Sequence, residues 1–171
     1  IVKSLLIRND VGPTRDPIGL HLIEFMKKNE AIIKRLLDRA NELGQKVIKQ
    51  SEKFVLCHSD IHGGNVLIDE KNDIYIVDWD EPMMAPKERD LMFIGGGIAN
   101  VWNDPQEEKF FYEGYGATEV NKMMLAYYRH ERIVEDIAEF CQELLLAPVS
   151  SGDRKVMYKQ FTDMFEPQGV V

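Results

Sequence analysis

Residues 57–65 read C-H-S-D-I-H-G-G-N and gather two histidines, an aspartate and an asparagine within one short stretch. Histidine and aspartate are side chains that commonly carry protons in catalysis or bind metals, and asparagine adds an oxygen ligand. The two glycines let the backbone turn tightly. This density of polar side chains predicts a functional loop, with metal binding, phosphate binding and catalysis all open.

Short apolar strands are predicted on both sides of this loop. Phe54–Cys57 leads into it, and Val66–Asp69 and Ile74–Val77 follow it, separated by the polar residues 70–73. Two apolar runs joined by a short polar turn are typical of a β-hairpin. The loop and the hairpin are therefore the elements that have to position the polar side chains.

A loop of four residues fixes which side chains of the hairpin face each other. In that register Leu67 faces Ile76, and Asn65 faces Asp78 at the open end of the hairpin. Directly opposed residues lie about 5 Å apart, and Asp60 lies close to Asn65 along the chain, before the Gly-Gly turn. Because amide and carboxylate oxygens suit Mg²⁺, we expect Asp60, Asn65 and Asp78 to converge on one site.

About six helices are predicted around this unit. Asp16-Pro17 reads as an N-cap and a first-turn proline that open a helix through about Lys28, after which Asn29 is expected to cap a second helix. Further helices are predicted near residues 90–94, 105–112, 120–146 and 152–165. The predicted fold class is therefore α+β and mainly helical, with a small inserted β-hairpin.

The composition narrows the class of protein. The chain has 171 residues, is 44% hydrophobic and carries a net charge of −8, as a globular domain does. An acidic chain without a basic aromatic stripe is not expected to bind nucleic acid, and no apolar run reaches the ~20 residues that span a membrane. Cys57 and Cys141 form no CxxC pair, so we expect buried thiols in the reducing cytoplasm rather than a zinc site or a disulfide.

The motif H-S-D-I-H-G-G-N fits the H-x-D-x-x-x-x-N catalytic loop of kinases, and V-D-W at 77–79 occupies the place of D-F-G. The second histidine and the D-W pair make the chain resemble the aminoglycoside phosphotransferase and choline kinase branch of small-molecule kinases. P-K-E-R-D-L at 86–91 is similar to the downstream Asp-Leu of that family. The resemblance is strong over residues 54–92 and implies a protein-kinase-like fold.

The resemblance also implies roles for the polar side chains. Asp60 would take or orient the proton of a small-molecule hydroxyl acceptor while that hydroxyl attacks the γ-phosphorus of ATP or GTP. Asn65 and Asp78 would hold Mg²⁺ and, through it, the phosphates of the nucleotide. His58 would orient the loop backbone as part of the catalytic set.

Other residues are implied to support the loop or to bind the acceptor. His62 and Asp90 would brace the loop. Asp80 and Glu81, which follow D-W, are possible acceptor contacts, as are Glu135 and Glu139, which belong to an i,i+4 column of glutamates on the long helix. An acidic wall would suit a cationic acceptor such as an aminoglycoside antibiotic, whereas the alternative is an ordinary solvated turn and helix face.

The residues upstream of Asp60 contain no Gly-rich loop and no strand lysine of the kind that kinases use on the nucleotide. The resemblance therefore implies a C-terminal lobe without its N-terminal nucleotide lobe. Within one domain spanning 1–171, we expect a helical entry segment at 1–53, the catalytic loop and metal hairpin at 54–92, and a helical substrate-side tail at 93–171. The expected partner is the missing lobe, or a second copy that binds through the exposed lobe interface.

Two alternatives follow from the same residues. S-D-I-H-G-G-N also resembles the opening of binuclear metallophosphatases, in which Asp60 and His62 would bind one metal, but the further histidine and aspartate segments of that family are missing. The other alternative is a non-catalytic lobe retained for binding or assembly.

Overall fold

A computed structural model describes residues 16–50, 52–95, 105–146, 153–167 and 169–171. The secondary structure in this part of the chain consists of helices α1 (Pro17–Lys28), α2 (Glu30–Val47), α3 (Glu88–Leu91), α4 (Pro105–Tyr115), α5 (Lys122–Leu145) and α6 (Arg154–Asp163), and strands β1 (Phe54–Cys57), β2 (Val66–Ile68), β3 (Ile74–Ile76) and β4 (Met83–Pro86). The chain divides into two compact units, Ile1–Glu42 with His130–Val171, and Leu43–Arg129. The mainly helical α+β class predicted from the sequence is confirmed.

The first unit has a core of apolar side chains from four helices. The buried members recur at helical spacing, which turns one face of each helix inward. Phe161 of α6 is fully buried and contacts the rings of Phe25 and Phe165 at centroid distances of 5.6 and 5.4 Å. The buried set is Leu22, Met26, Ile33, Ile133, Ile137, Cys141, Leu144 and Phe161.

A buried ion pair joins three helix ends in this unit. Asp16 is the N-cap of α1, and its carboxylate accepts the amide hydrogens of Ile18 and Gly19. Arg154, at the start of α6, donates to the same carboxylate at 2.5 Å and to the carbonyls of Glu143 and Leu144 at the end of α5. One guanidinium thus satisfies helix-end carbonyls that have no partner within their own helix.

The second unit contains two antiparallel two-stranded sheets. β1 pairs with β4 so that Val55 lies opposite Ala85 and Leu56 opposite Met84, and β2 pairs with β3 in the hairpin. β4 was not predicted. Its sequence M-M-A-P shows no alternation of polar and apolar residues. It also ends on proline, which lacks the amide hydrogen needed for strand pairing and therefore does not indicate a strand.

The predicted register of the hairpin is wrong by one residue. Val66 pairs with Ile76 and Leu67 with Tyr75, so the turn has three residues between Asp69 and Asp73 rather than four. The reason is local: the Asp69 carboxylate accepts the amide hydrogens of Lys71 and Asp73 at 2.8 and 2.9 Å, and Asn72 adopts a left-handed φ of 65°. Three-residue hairpin turns commonly end with a residue in the left-handed conformation.

Other expectations meet mixed outcomes. The helix at Pro17–Lys28 with Asp16 as its cap is confirmed, as is the burial of Cys57 and Cys141, which raises the pKa values of their thiols to about 11 and about 12. Asn29 does not cap α2 with its side chain, which instead donates to the Phe25 carbonyl. The glycines at 96 and 97 lie outside the described residues. Among the helices described, none is both long and apolar enough to cross a bilayer.

Replacing Arg154 by methionine is expected to lower the free energy of unfolding by about 3 kcal/mol or more, because Asp16 would stay buried without its cation. Chemical denaturation measures the difference. As a matched control, Lys159→Met removes an exposed pair with Asp163 and should change the same quantity by only about 0.5 kcal/mol. Equal effects of the two variants would contradict the buried pair's importance.

The same pair predicts a dependence on pH. Hydrogen bonding from Arg154 lowers the pKa of the Asp16 carboxyl below its ordinary value of 3.8. Because the folded pKa is the lower one, the stabilisation is fully present above the unfolded value and is lost as pH falls through the folded value. As pH falls below the unfolded pKa of about 4, wild type should therefore lose more stability than Asp16→Asn in parallel denaturation series; identical losses would rule this out.

Candidate active site

Asp90 fixes the start of the predicted catalytic loop. Its two carboxylate oxygens accept the backbone amide hydrogens of His58 and Ser59, at 3.0 and 2.8 Å. Ser59 is almost fully buried and has a φ of 77°, a left-handed conformation that is unfavourable for residues with a Cβ. The bidentate contact therefore holds the backbone in a strained turn immediately before Asp60.

His58 connects the loop to the segment that carries Asp78. Its Nδ1 atom accepts the amide hydrogen of Asp60 at 3.3 Å, so the proton of the neutral ring lies on Nε2, which donates to the Val77 carbonyl at 2.8 Å. The ring also packs against the Trp79 indole at a centroid distance of 4.6 Å. Both ring nitrogens are thus used within the protein.

Asp60 and Asn65 are in direct contact. The Asn65 side-chain amide donates to the Asp60 backbone carbonyl at 2.9 Å and lies 3.5 Å from the carboxylate Oδ2 atom. Asn65 is buried and ends a short 3₁₀ turn formed by Gly63–Asn65. Because the amide nitrogen is directed at Asp60, the amide oxygen is directed away from it.

Asp78 lies one residue beyond the position that the sequence predicted for it in the hairpin. The Asn65 carbonyl accepts the amide hydrogen of Val77 at 3.0 Å, so Val77, and not Asp78, is the cross-strand neighbour of Asn65. Asp78 follows directly, exposed, with a left-handed φ of 64°. Val77 is therefore held at both of its backbone polar groups, its amide hydrogen by the Asn65 carbonyl and its carbonyl by the His58 ring.

The donor set on this loop and hairpin fits a hard divalent cation. Mg²⁺ is usually held by one or two carboxylates and completed by phosphate oxygens and water, and Asn65 and Asp78 offer an amide oxygen and a carboxylate from residues tied to the same pair of strands. Within the described ranges, no group of three or more His, Cys, Asp or Glu side chains could hold a metal. A site of this kind would therefore depend on oxygen atoms supplied by a bound substrate.

The predicted acceptor residues are spread over the two units. Asp80 and Glu81 are exposed on the turn between β3 and β4, in the same unit as Asp60. Glu135 and Glu139 are exposed on the part of α5 that belongs to the other unit. Ser59, whose residue type is common in loops, was not predicted from the sequence, and neither was the ring contact between His58 and Trp79.

Comparison with known proteins identifies the family to which this chain belongs. A profile of the phosphotransferase enzyme family (APH) matches residues 16–129, which include the loop, the hairpin and Asp90. The chain belongs to this family, as the resemblance in its motifs implied.

Two solved structures add detail. The chain is 50% identical to spectinomycin phosphotransferase, APH(9)-Ia, in its complex with ADP and spectinomycin, with a TM-score of 0.86 over 99% of this chain and 51% of that one. The AMP-bound complex of APH(9)-Ia matches at 52% identity and a TM-score of 0.81, over 93% of this chain and 49% of that one. The match confirms a kinase-like fold, and the chain spans about half the length of these proteins.

A curated relative, an uncharacterized protein of Metamycoplasma hominis, is 26% identical over 145 residues, which are 85% of this chain and 26% of that protein.

Membership of the phosphotransferase family also removes the metallophosphatase alternative. The structure gives a physical reason: His62 Nδ1 accepts the Gly64 amide hydrogen, so its Nε2 atom carries the proton and cannot bind a metal in that tautomer.

Ser59→Gly is expected to raise the free energy of unfolding by about 1 kcal/mol, because glycine adopts the left-handed conformation without strain. Ser59→Ala keeps the Cβ and removes only the buried hydroxyl, so the difference between the two variants isolates the backbone contribution. Thermal or chemical denaturation measures both. A glycine variant that is no more stable than the alanine variant would contradict strain at this position.

Asp90→Asn is expected to lower the free energy of unfolding by about 1–3 kcal/mol, because an amide has one acceptor oxygen for two backbone N–H groups. In the Ser59→Gly background the loss should be smaller, since glycine needs less support to keep this φ. The double-mutant cycle measures the coupling. Strict additivity of the two changes would show that Asp90 does not support the turn at Ser59.

Proposed function

We propose that this chain is the catalytic lobe of a phosphotransferase that moves the γ-phosphoryl group of ATP or GTP to a hydroxyl of a small, cationic molecule such as an aminoglycoside-type antibiotic. The observation that carries the proposal is the contact of Asp60 with Asn65 in a loop tied by hydrogen bonds to the residue before Asp78. Family membership supports the reaction type. The spectinomycin phosphotransferase complexes support nucleotide use and an antibiotic acceptor.

Asp60 is the proposed base. As the acceptor oxygen bonds to the γ-phosphorus, the bond from that phosphorus to the β,γ-bridging oxygen breaks, and the hydroxyl proton passes to the Asp60 carboxylate. Asn65 and Asp78 would hold Mg²⁺, which offsets the charge on the phosphate oxygens when it is bound. In this class of reaction positioning and charge stabilisation supply most of the rate acceleration, which suits a loop whose backbone is held by the side chains of Asp90, His58 and His62.

The acceptor is proposed to be cationic because this part of the chain is acidic. Asp80 and Glu81 are exposed and follow Asp78 on the same turn. Within the part of the chain that the structure describes, neither side chain forms an ion pair with a basic residue. Glu135 and Glu139 are exposed on the part of the long helix that belongs to the other unit and are proposed separately as acceptor contacts. Amino groups of an aminoglycoside or aminocyclitol would be attracted to such carboxylates.

The chain is further proposed to work with a nucleotide-binding half, equivalent to the part of APH(9)-Ia outside the match. The outer face of the β1–β4 sheet supports this proposal, because Phe54, Leu56 and Met84 are 57%, 64% and 59% exposed. The hairpin adds Leu67, Ile68, Ile74, Tyr75 and Ile76, which are also exposed. Exposed apolar side chains that are cross-strand partners on one sheet face, as Leu56 and Met84 are, are typical of an interface.

We define the completed enzyme as this chain joined to the half of APH(9)-Ia outside the match. In that enzyme, Asp60→Asn is expected to lower kcat for phosphoryl transfer to spectinomycin by about 10²–10⁴-fold. The KM for ATP should change little, because Asp60 contacts the acceptor and not the nucleotide. Asp78→Asn should instead raise the Mg²⁺ concentration needed for half-maximal rate.

The matched control is Asp73→Asn, which changes an exposed hairpin carboxylate outside the site. Transfer assays with labelled ATP or GTP also distinguish the donors. If Asp60→Asn keeps its rate, Asp60 is not the base; if wild type transfers no phosphoryl group to any of a panel of amino sugars, the chain serves binding or assembly instead.

The isolated chain is expected to self-associate through the apolar sheet face. Leu56→Lys with Met84→Lys should shift its sedimentation coefficient toward that of a monomer, because the two side chains are cross-strand neighbours on that face. Leu20→Lys, on an exposed helical leucine, is the control. Self-association that persists in the double variant, or a wild type that is monomeric at about 100 μM, would contradict an exposed interface.

A further inference from the structure

His62, to which the family resemblance gives only a general role in bracing the loop, lies beside the carboxylate of the proposed base. Its Nε2 atom is 3.5 Å from the Asp60 Oδ2 atom. Its Nδ1 atom accepts the amide hydrogen of Gly64 at 3.0 Å. Because Nδ1 is an acceptor, the neutral ring presents an N–H at Nε2 to the carboxylate.

The ring is restrained from behind as well. It forms a T-shaped contact with Phe93 at a centroid distance of 6.2 Å and an interplanar angle of 64°, and Phe93 is itself buried in the small cluster it forms with Met92. One hydrogen bond and one aromatic contact thus favour this orientation of the imidazole.

The glycine at 64 leaves the space that the ring occupies. A Cβ at this position would lie 2.8 Å from the His62 Cε1 atom and 3.0 Å from Nδ1, closer than unbonded carbon atoms approach. The second glycine of the motif is thus explained by the imidazole that packs over it, in addition to the tight turn.

Two donors from the same short turn then face one carboxylate oxygen. The Asn65 amide nitrogen and the His62 Nε2 atom are each 3.5 Å from Asp60 Oδ2. These separations are longer than tight hydrogen bonds, but contacts in a catalytic site often shorten when the substrate binds. We propose that His62 is a positioning residue that orients the Asp60 carboxylate toward the acceptor hydroxyl; this inference rests on the proposed role of Asp60 as base.

Two substitutions separate the contacts of the ring. His62→Asn keeps an acceptor at the place of Nδ1 but cannot reach Asp60, whereas His62→Gln places a donor amide at the distance of Nε2 and gives up the contact with Gly64. A positioning role predicts that His62→Asn lowers kcat of the completed enzyme by about 10- to 100-fold with little change in the KM for ATP. His62→Gln should then stay within about threefold of wild type.

A purely local role in capping the 3₁₀ turn predicts the opposite order, with His62→Gln the poorer enzyme. Gly64→Ala displaces the ring without removing it and should lower kcat as His62→Asn does. Gly114→Ala is the matched control, since a Cβ there meets nothing within 4 Å. Equal rates for His62→Asn and wild type, or the reversed order, would overturn the inference.

A crystal structure of the His62→Asn chain provides a readout that does not depend on activity. We expect the Asp60 carboxylate to leave its position beside Asn65 or to occupy two rotamers, while the turn at Gly63–Asn65 stays intact. An unchanged Asp60 in that variant would overturn the inference even if the enzyme were active. Loss of transfer in wild type, or an active Asp60→Asn enzyme, would instead overturn the proposed function, and the structural comparison would still decide what His62 does.

Discussion

The two hydrogen bonds from the Asp90 carboxylate to consecutive backbone amides are the constraint on which the rest of the site depends. They hold Ser59 in a left-handed conformation that a serine would otherwise avoid. The chain direction changes at that residue, so His58 is directed to the Val77 carbonyl and Asp60 to Asn65. Strain that persists only because the surroundings enforce it is characteristic of functional sites.

Hydrogen bonds also hold Val77, the residue that precedes the proposed metal ligand Asp78. His58 binds the carbonyl of Val77, and the Asn65 carbonyl binds its amide hydrogen. The following peptide therefore has little freedom, although Asp78 is exposed and has a left-handed φ. The hydrogen bonds thus connect the proposed base and both proposed metal ligands before any substrate binds, which lowers the reorganisation needed during the reaction.

The contact of Asp60 with Asn65 could be predicted from the sequence because it is local: residue types and short spacings were sufficient to place both residues in one loop with His58. The cap at Asp16 was predicted for the same reason. The hairpin register was not, because the turn is closed by the Asp69 side chain and by a left-handed Asn72, neither of which apolar alternation reveals. β4 was missed because its pairing with β1 is non-local and its own pattern is not that of a strand.

The position of His62 beside Asp60 also depends on residues that are close together in the sequence. Gly64 and His62 are neighbours in sequence, yet their fit becomes apparent only when the ring and the missing Cβ are placed in space. Asp90, in contrast, is more than thirty residues from the amides it binds, and its bracing role came from the resemblance to a family and not from any pattern of spacing.

The central claim is that Asn65 and Asp78 hold a divalent cation beside the nucleotide phosphates, next to Asp60. Paramagnetic broadening tests it directly, with Mn²⁺ and ADP added to the completed enzyme labelled with ¹⁵N. We expect the Asn65 side-chain amide and the backbone amides of Asp78 and Trp79 to broaden first. Broadening that centres elsewhere, or that is unchanged in Asp78→Asn, would contradict the account.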